Sequence, residues 1–220
     1  MRWAAAIRRA FSQALALLIP VECAGCGAPD HALCPGCREL LRPASLHRRT
    51  PGGIPVHAAL RYEAVPRRVL LALKEQQRTD IAGSLAQVLV ASLTTVPDAE
   101  LVPVPSSRAA YRRRGYDPVR LILDRTGRRA SRVLTPARRT ERQKTLGAQQ
   151  RRENLRGALV ARRALHGRSF VIVDDVLTTG ATIDEAARAL RAAGGTVVAA
   201  ATVAWTPRRS ARGDTATAGD

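Results

Sequence analysis

Two adjacent carboxylates and a turn rich in threonine follow an apolar segment in the C-terminal third of the chain. Residues 170–173 are apolar, Asp174 and Asp175 come next, and the turn after them contains Thr178, Thr179, Gly180, Ala181 and Thr182. In open α/β sheets, ligands bind where strands end and helices begin. Backbone N–H groups and threonine hydroxyls at a helix start form an anion site for a phosphate. Paired carboxylates suit ribose hydroxyls, contacted directly or through Mg2+. The pattern predicts a site for a phosphorylated ribose.

All the cysteines of the chain lie within one short segment, at positions Cys23, Cys26, Cys34 and Cys37. Two-residue spacers let both sulfurs of each pair reach one ion, and the neighbouring glycines permit the tight turns. This spacing predicts a closed, structural zinc site without an open position for chemistry. An iron–sulfur cluster and two redox-active pairs are the alternatives. Both the zinc site and the iron–sulfur cluster predict that the protein is in a reducing compartment, the cytoplasm.

The elements that must position these residues follow an α/β pattern. Periodicity predicts strands over 56–62, 101–104, 170–173 and 196–203, and helices over 65–74, 81–93, 119–128 and 183–193. The Pro51-Gly52-Gly53 sequence is typical of a linker. Residues 1–20 favour an amphipathic helix over a signal peptide, because two arginines interrupt the apolar stretch. We expect an N-terminal helix and zinc module over 1–50, a larger domain over 51–206 and a disordered tail over 207–220.

The charge balance is strongly basic. The chain has 36 Lys+Arg against 18 Asp+Glu, a net charge of +18, and all but two of the basic residues are arginine. Such a charge attracts polyanions, although arginines spread over a solvated surface would give the same total. Aromatic residues make up only 3% of the chain, which argues against a groove that stacks bases. No apolar run is long enough to predict a transmembrane helix.

The segment around Asp174 and Asp175 resembles the phosphoribosyl-pyrophosphate (PRPP) motif of type I phosphoribosyltransferases. The order of the other parts narrows this resemblance to the ComF family, which is associated with competence and DNA uptake. These parts are the four-cysteine module, Leu73-Lys74, residues 102–105, Arg113-Arg114-Gly115-Tyr116 and a glutamine- and arginine-rich stretch. The family usually has Phe-Asn-Gln after Arg-Gly, whereas this chain has Tyr116-Asp117-Pro118.

The resemblance implies a type I phosphoribosyltransferase-like α/β fold with a mainly parallel central sheet, beside a small N-terminal zinc-knuckle module. It implies that Asp174 and Asp175 are the catalytic pair and contact the ribose 2′- and 3′-hydroxyls, and that residues 178–182 cradle the 5′-phosphate. Many type I phosphoribosyltransferases have a carboxylate at the position of Thr178, and this group can assist the nucleobase.

Leaving pyrophosphate needs cations to stabilise its charge. The candidates for the pyrophosphate side are Lys74, Arg113, Arg114 and Gly115, with Arg108 and a lid over 142–152.

Three functions are consistent with these sequence features. The first is a Mg2+-dependent phosphoribosyltransferase that acts on PRPP and an unknown acceptor. The second is a catalytically silent PRPP-binding accessory protein. The third is a factor of the DNA-uptake machinery that binds single-stranded DNA or other uptake proteins. The first two share every residue named above, and an acceptor pocket would separate them.

Overall fold

The computed structural model describes residues 21–137 and 156–207. The helix expected over 1–20, the lid over 142–152 and the tail beyond residue 207 lie outside the described residues. None of the described helices is long and apolar enough to cross a membrane.

The described residues form both helices and strands, interspersed along the chain. The helices are α1 (Pro35–Glu39), α2 (Ala64–Glu75), α3 (Ala82–Leu93), α4 (Arg108–Arg114), α5 (Pro118–Asp124) and α6 (Ala181–Ala192). The strands are β1 (Leu46–Arg49), β2 (Pro55–Arg61), β3 (Glu100–Pro103), β4 (Leu134–Pro136), β5 (Leu159–Ala161), β6 (Ser169–Leu177) and β7 (Thr196–Trp205). A 3-10 turn, Thr79–Ile81, precedes α3.

The central sheet has the strand order β1-β2-β7-β6-β3. β2, β7, β6 and β3 run parallel, and β1 is an antiparallel edge strand. β4 and β5 form a separate antiparallel pair. The carboxyl ends of the parallel strands therefore meet at one edge of the sheet.

Two apolar clusters cover the two faces of this sheet. α2, α3 and α5 pack with the cysteine module on one face, and α6 packs with β4 and β5 on the other. Val171, Ile172 and Val173 at the middle of β6 are fully buried, and burial stabilises each such side chain by about 1.5–3 kcal/mol. β6 is thus a rigid support for the residues at its end.

Several predicted boundaries differ from the structure. The Pro51-Gly52-Gly53 sequence forms the turn of the β1–β2 hairpin, so β1 belongs to the central sheet although the expected division placed it in the N-terminal module. The helix predicted over 119–128 ends at Asp124, and the basic segment over 106–116 contains α4. Proline and glycine are typical of both hairpin turns and linkers. Here the pairing of β1 with β2 shows that the segment is a hairpin turn.

Candidate functional site

The two acids of the predicted site lie near the carboxyl end of β6. Asp175 is buried and Asp174 is half-buried. Alternation along a strand directs neighbouring side chains to opposite faces, and Asp175 lies on the face that α2 covers. There, the Lys74 Nζ is 2.8 Å from the Asp175 Oδ2. The last turn of α2 thus brings a cation to the end of β6.

Burial and the charges of neighbouring groups together set the pKa values of this cluster. Burial, and then the negative charge of Asp175, raise the pKa of Asp174 to about 8. Burial on its own would lower the pKa of Lys74, but the charge and the hydrogen bond of Asp175 outweigh it, so that this pKa is raised. Lys74 therefore stays protonated at neutral pH and balances one negative charge.

The turn between β6 and α6 leaves backbone donors unpaired. Gly180 adopts the left-handed conformation at the start of the helix, with φ of 83°. The Ala181 N–H donates to the Thr179 Oγ1 at 3.4 Å. Within the described residues, the N–H groups of Thr182 and Ile183 have no hydrogen-bond acceptor. Free N–H groups at a helix start bind anions, so this turn has the chemistry of a phosphate site.

The β1–β2 hairpin supports the same turn from the outside. Asp184, in the first turn of α6, accepts hydrogen bonds from the Thr50 hydroxyl and, at 3.0 Å, from the Gly52 N–H. A Cβ on Gly180 would lie 3.0 Å from atoms of Thr50 and Pro51. The sequence analysis missed this support, because the partners are more than 130 positions apart.

The three residues at the end of α4 that the sequence analysis assigns to the pyrophosphate side, Arg113, Arg114 and Gly115, differ in their contacts. The Arg114 Nη2 donates to the Ser106 Oγ at 3.0 Å, and its buried Nε has no acceptor among the described residues. Arg113 is exposed. Gly115 is left-handed, with φ of 79°, and ends α4 by donating to the Tyr111 carbonyl oxygen at 2.7 Å. Of the two arginines, Arg114 is therefore the fixed one.

The residues that depart from the family pattern connect two parts of the site. The Tyr116 hydroxyl donates to the carbonyl oxygen of Leu73, which directly precedes the site lysine. Asp117 accepts from the Ser106 N–H at 2.6 Å and caps α5 by accepting from the Arg120 N–H at 3.2 Å. An aspartate at this position therefore has a structural partner for each of its oxygens.

The four-cysteine module has the geometry of a metal site. One ligand atom from each cysteine lies within 4.8 Å of all the others, and the Cys26 and Cys34 sulfurs are 3.7 Å apart. Four sulfurs at about 2.3 Å from one ion in a tetrahedron are about 3.8 Å apart. Burial opposes ionisation of Cys23, but N–H donors from Cys34 and Gly25 lower its pKa to about 6. The sulfurs therefore fit a single ion.

Two arginines dock this module on the larger domain. The Arg78 guanidinium donates to the carbonyl oxygens of Glu22, at 2.7 Å, and Ala32, at 3.3 Å. Arg68 on α2 donates to the Gly25 carbonyl oxygen. The module thus rests on the helix that carries the site lysine.

Residues 124–217 match the model of the phosphoribosyl transferase domain. The C-terminal part of the chain is therefore similar to phosphoribosyl transferase domains. It is 35% identical over 131 residues to the DNA utilization protein YhgH of Escherichia coli O157:H7, covering 54% of this chain and 57% of that protein. It is 32% identical over 107 residues to competence protein F of Haemophilus influenzae, covering 45% of this chain and 46% of that protein. The fold class and the ComF resemblance are confirmed.

A third relative is similar over a shorter region. The chain is 62% identical over 39 residues to the adenine phosphoribosyltransferase of Mycobacterium avium, covering 18% of this chain and 22% of that enzyme. The chain spans little more than half the length of the curated relatives that it matches first.

Proposed function

We propose that this protein is of the ComF type, binds PRPP and transfers its ribose 5-phosphate to an acceptor nucleophile. One observation carries the proposal: the paired acids of β6 lie just before a helix start whose Thr182 and Ile183 N–H groups have no acceptor among the described residues. Asp174 and Asp175 hold the ribose 2′- and 3′-hydroxyls. The 5′-phosphate lies on the turn formed by Thr178, Thr179, Gly180, Ala181 and Thr182.

The reaction breaks one bond and forms one. The bond from C1 of the ribose to pyrophosphate breaks, and the acceptor forms a bond to C1 and loses a proton to solvent. Negative charge develops on the leaving pyrophosphate, so cations near C1 stabilise the transition state. Lys74 is held protonated beside Asp175. Lys74 and the Arg113-Arg114-Gly115 group form the pyrophosphate side.

Two metals belong to this proposal. Asp174 and Asp175 would hold the Mg2+ that is bound with PRPP, and the ion would supply positive charge against the leaving pyrophosphate. Cys23, Cys26, Cys34 and Cys37 would hold Zn2+, and the ion would have a structural role. The clustering of the four cysteines at the distances of a metal site supports a reducing, cytoplasmic location.

A silent accessory role is the second candidate. Thr178 is an exposed hydroxyl at the position where many phosphoribosyltransferases have a carboxylate that assists a nucleobase. A protein that lacks this group can bind PRPP without transferring it. The names of the relatives, a DNA utilization protein and a competence protein, lead us to infer that either activity serves the handling of incoming DNA.

Calorimetric titration with PRPP, with and without Mg2+, tests the proposal. Wild-type protein should bind PRPP more tightly with Mg2+, and an Asp174→Asn/Asp175→Asn variant should lose at least tenfold in affinity. An Asp30→Asn/Asp98→Asn variant removes two exposed carboxylates elsewhere and should bind like the wild type. Absence of PRPP binding by folded, zinc-loaded wild-type protein would contradict the proposed function.

Pyrophosphate release separates the two candidates. If the protein is a transferase, adding the right acceptor nucleobase or related nucleophile should release one pyrophosphate for each PRPP consumed. Binding of PRPP without release, across a broad acceptor panel, favours the accessory role.

A further inference from the structure

An arginine-lined cleft lies away from the phosphoribosyl site. Its volume is about 850 Å³. The arginines that line it, hereafter the arginine cleft, are Arg128, Arg129, Arg132, Arg163 and Arg168. All but Arg168 are exposed, so their guanidinium groups are accessible to a ligand.

The acids of the cleft are already paired. Glu100 accepts two hydrogen bonds of 2.6 Å from Arg168, one from Nε and one from Nη2. Asp124 lies 3.4 Å from the Arg120 Nε, on the preceding turn of α5. Within the described residues, the other four arginines of the cleft form no salt bridge. The cleft therefore presents uncompensated positive charge, which attracts phosphates.

The cleft lies at the amino end of the central strands. Glu100 is the first residue of β3, and Arg168 directly precedes β6. The acids of the phosphoribosyl site are near the other end of β6. At about 3.3 Å per residue, the strand separates Arg168 from Thr178 by about 30 Å. A ligand in the cleft would leave the phosphoribosyl site free.

A second basic cavity adjoins the cleft at Arg132, which lines both. This cavity has a volume of about 430 Å³, and its other arginines are Arg108, Arg112, Arg120 and Arg162. Tyr111, on α4, also lines it, and this residue is 51% exposed. The low aromatic content predicts no stacking surface, but one exposed tyrosine among arginines is enough to stack a base.

We propose that the arginine cleft and the adjoining cavity bind single-stranded nucleic acid. The arginines contact the phosphates, and Tyr111 stacks on one base. Such contacts do not read sequence, so that binding depends on length and salt rather than on base order. The arginine cleft is separate from the PRPP site, whereas the adjoining cavity includes Ser106 and Arg108 and borders the pyrophosphate side. The contacts of the arginine cleft can therefore be tested independently of phosphoribosyl transfer.

Fluorescence anisotropy of a labelled 20-nucleotide oligo-dT tests the site. An Arg128→Gln/Arg129→Gln/Arg163→Gln variant of the full chain should bind at least about tenfold more weakly. Each lost phosphate contact should reduce the salt dependence by about 0.7 in log K against log [salt], so the slope should become shallower by about 2.

A matched variant controls for total charge. Arg38→Gln/Arg67→Gln/Arg191→Gln also removes three exposed arginines, outside both cavities, and should lose less than about threefold. An equal loss in both triple variants would overturn the proposal, because binding would then be spread over the whole basic surface. The cleft variant should also bind PRPP like the wild type, and a parallel loss of PRPP binding would contradict the separation of the two sites.

Tyr111→Ala tests the preference for a single strand. It should weaken oligo-dT binding by about fivefold or more and leave binding of a 20-base-pair duplex unchanged, whereas Tyr111→Phe should bind like the wild type. Unchanged oligo-dT binding by Tyr111→Ala, with a duplex bound as tightly as the single strand, would overturn the single-strand assignment.

Discussion

A buried carboxylate with one cationic partner is sensitive to loss of that partner. The Asp175 side chain is 9% exposed, and its partner Lys74 is 29% exposed at 2.8 Å. Removing the ammonium leaves a buried charge without compensation, which costs more than the pair itself contributes. The pair thus links stability to the site that we assign to PRPP.

Lys74→Met should therefore lower the free energy of unfolding by about 1–3 kcal/mol and weaken PRPP binding at least tenfold. Urea unfolding at pH 7 and calorimetric titration measure the two effects. A Lys74→Met/Asp175→Asn double variant should recover part of the stability, because the uncompensated charge is gone, but none of the PRPP binding. Additive stability losses in the double variant would show that the two groups do not interact.

At the scale of the secondary-structure elements, Glu185 connects α6 to β5. It is buried, accepts from the Leu159 N–H at 3.0 Å and is paired with Arg188 at 2.7 Å. Burial on its own would raise the pKa of Glu185, but these donors outweigh it and lower the pKa below its usual 4.5. The unfolded chain then binds a proton more readily than the folded one as the pH falls. The stabilisation is present above pH 4.5 and is lost as the pH falls through the lower, folded pKa.

Glu185→Gln should accordingly cost about 1–2 kcal/mol at pH 7, a modest value because the Arg188 side chain is 39% exposed and screened by water. The difference between wild type and variant should shrink as the pH is lowered from 5 to 3. Urea midpoints across this range give the measurement. A difference that stays constant with pH would mean that the charge of Glu185 does not contribute.

The contact between the β1–β2 hairpin and the start of α6 has its own test. Gly180→Ala introduces a left-handed alanine, which costs about 1–2 kcal/mol, and a Cβ 3.0 Å from Thr50 and Pro51. Gly167→Ala has a similar φ of 72° but open space around the new Cβ, so it isolates the backbone cost. We expect Gly180→Ala to lose more stability than Gly167→Ala and to weaken PRPP binding. Equal losses of stability in the two variants would show that the β1–β2 hairpin shifts to make room for the new Cβ at no cost in free energy.

How far the sequence predicts these elements depends on how local their signals are. The apolar run of β6, the acids after it and the cysteine spacing each lie within a few residues, and the fold and the cysteine cluster agree with them. The Thr50–Asp184 bond and the contact of Tyr116 with Leu73 join distant parts of the chain. Such contacts depend on how the elements pack, which one sequence does not specify.

At the scale of the whole molecule, the cysteine module and the larger domain share one core. Cys23, Leu33 and Cys37 belong to the same buried cluster as the apolar residues of α2, α3 and β6. Arg68 and Arg78 add hydrogen bonds across this contact. A module attached in this way should not unfold on its own, since its loss exposes apolar surface of α2.

Metal removal should therefore destabilise the entire described fold in a single step. Chelation of the zinc-loaded protein, or a Cys34→Ser substitution, should lower the Tm by about 5 °C or more, which corresponds to roughly 2 kcal/mol for a chain of this size. Differential scanning calorimetry should still show one transition, and elemental analysis should find about one zinc per wild-type chain and none in the variant. Two transitions, with the larger at an unchanged temperature, would mean that the module and the α/β domain fold independently. Iron in place of zinc would refute the choice of metal and leave the shared core intact.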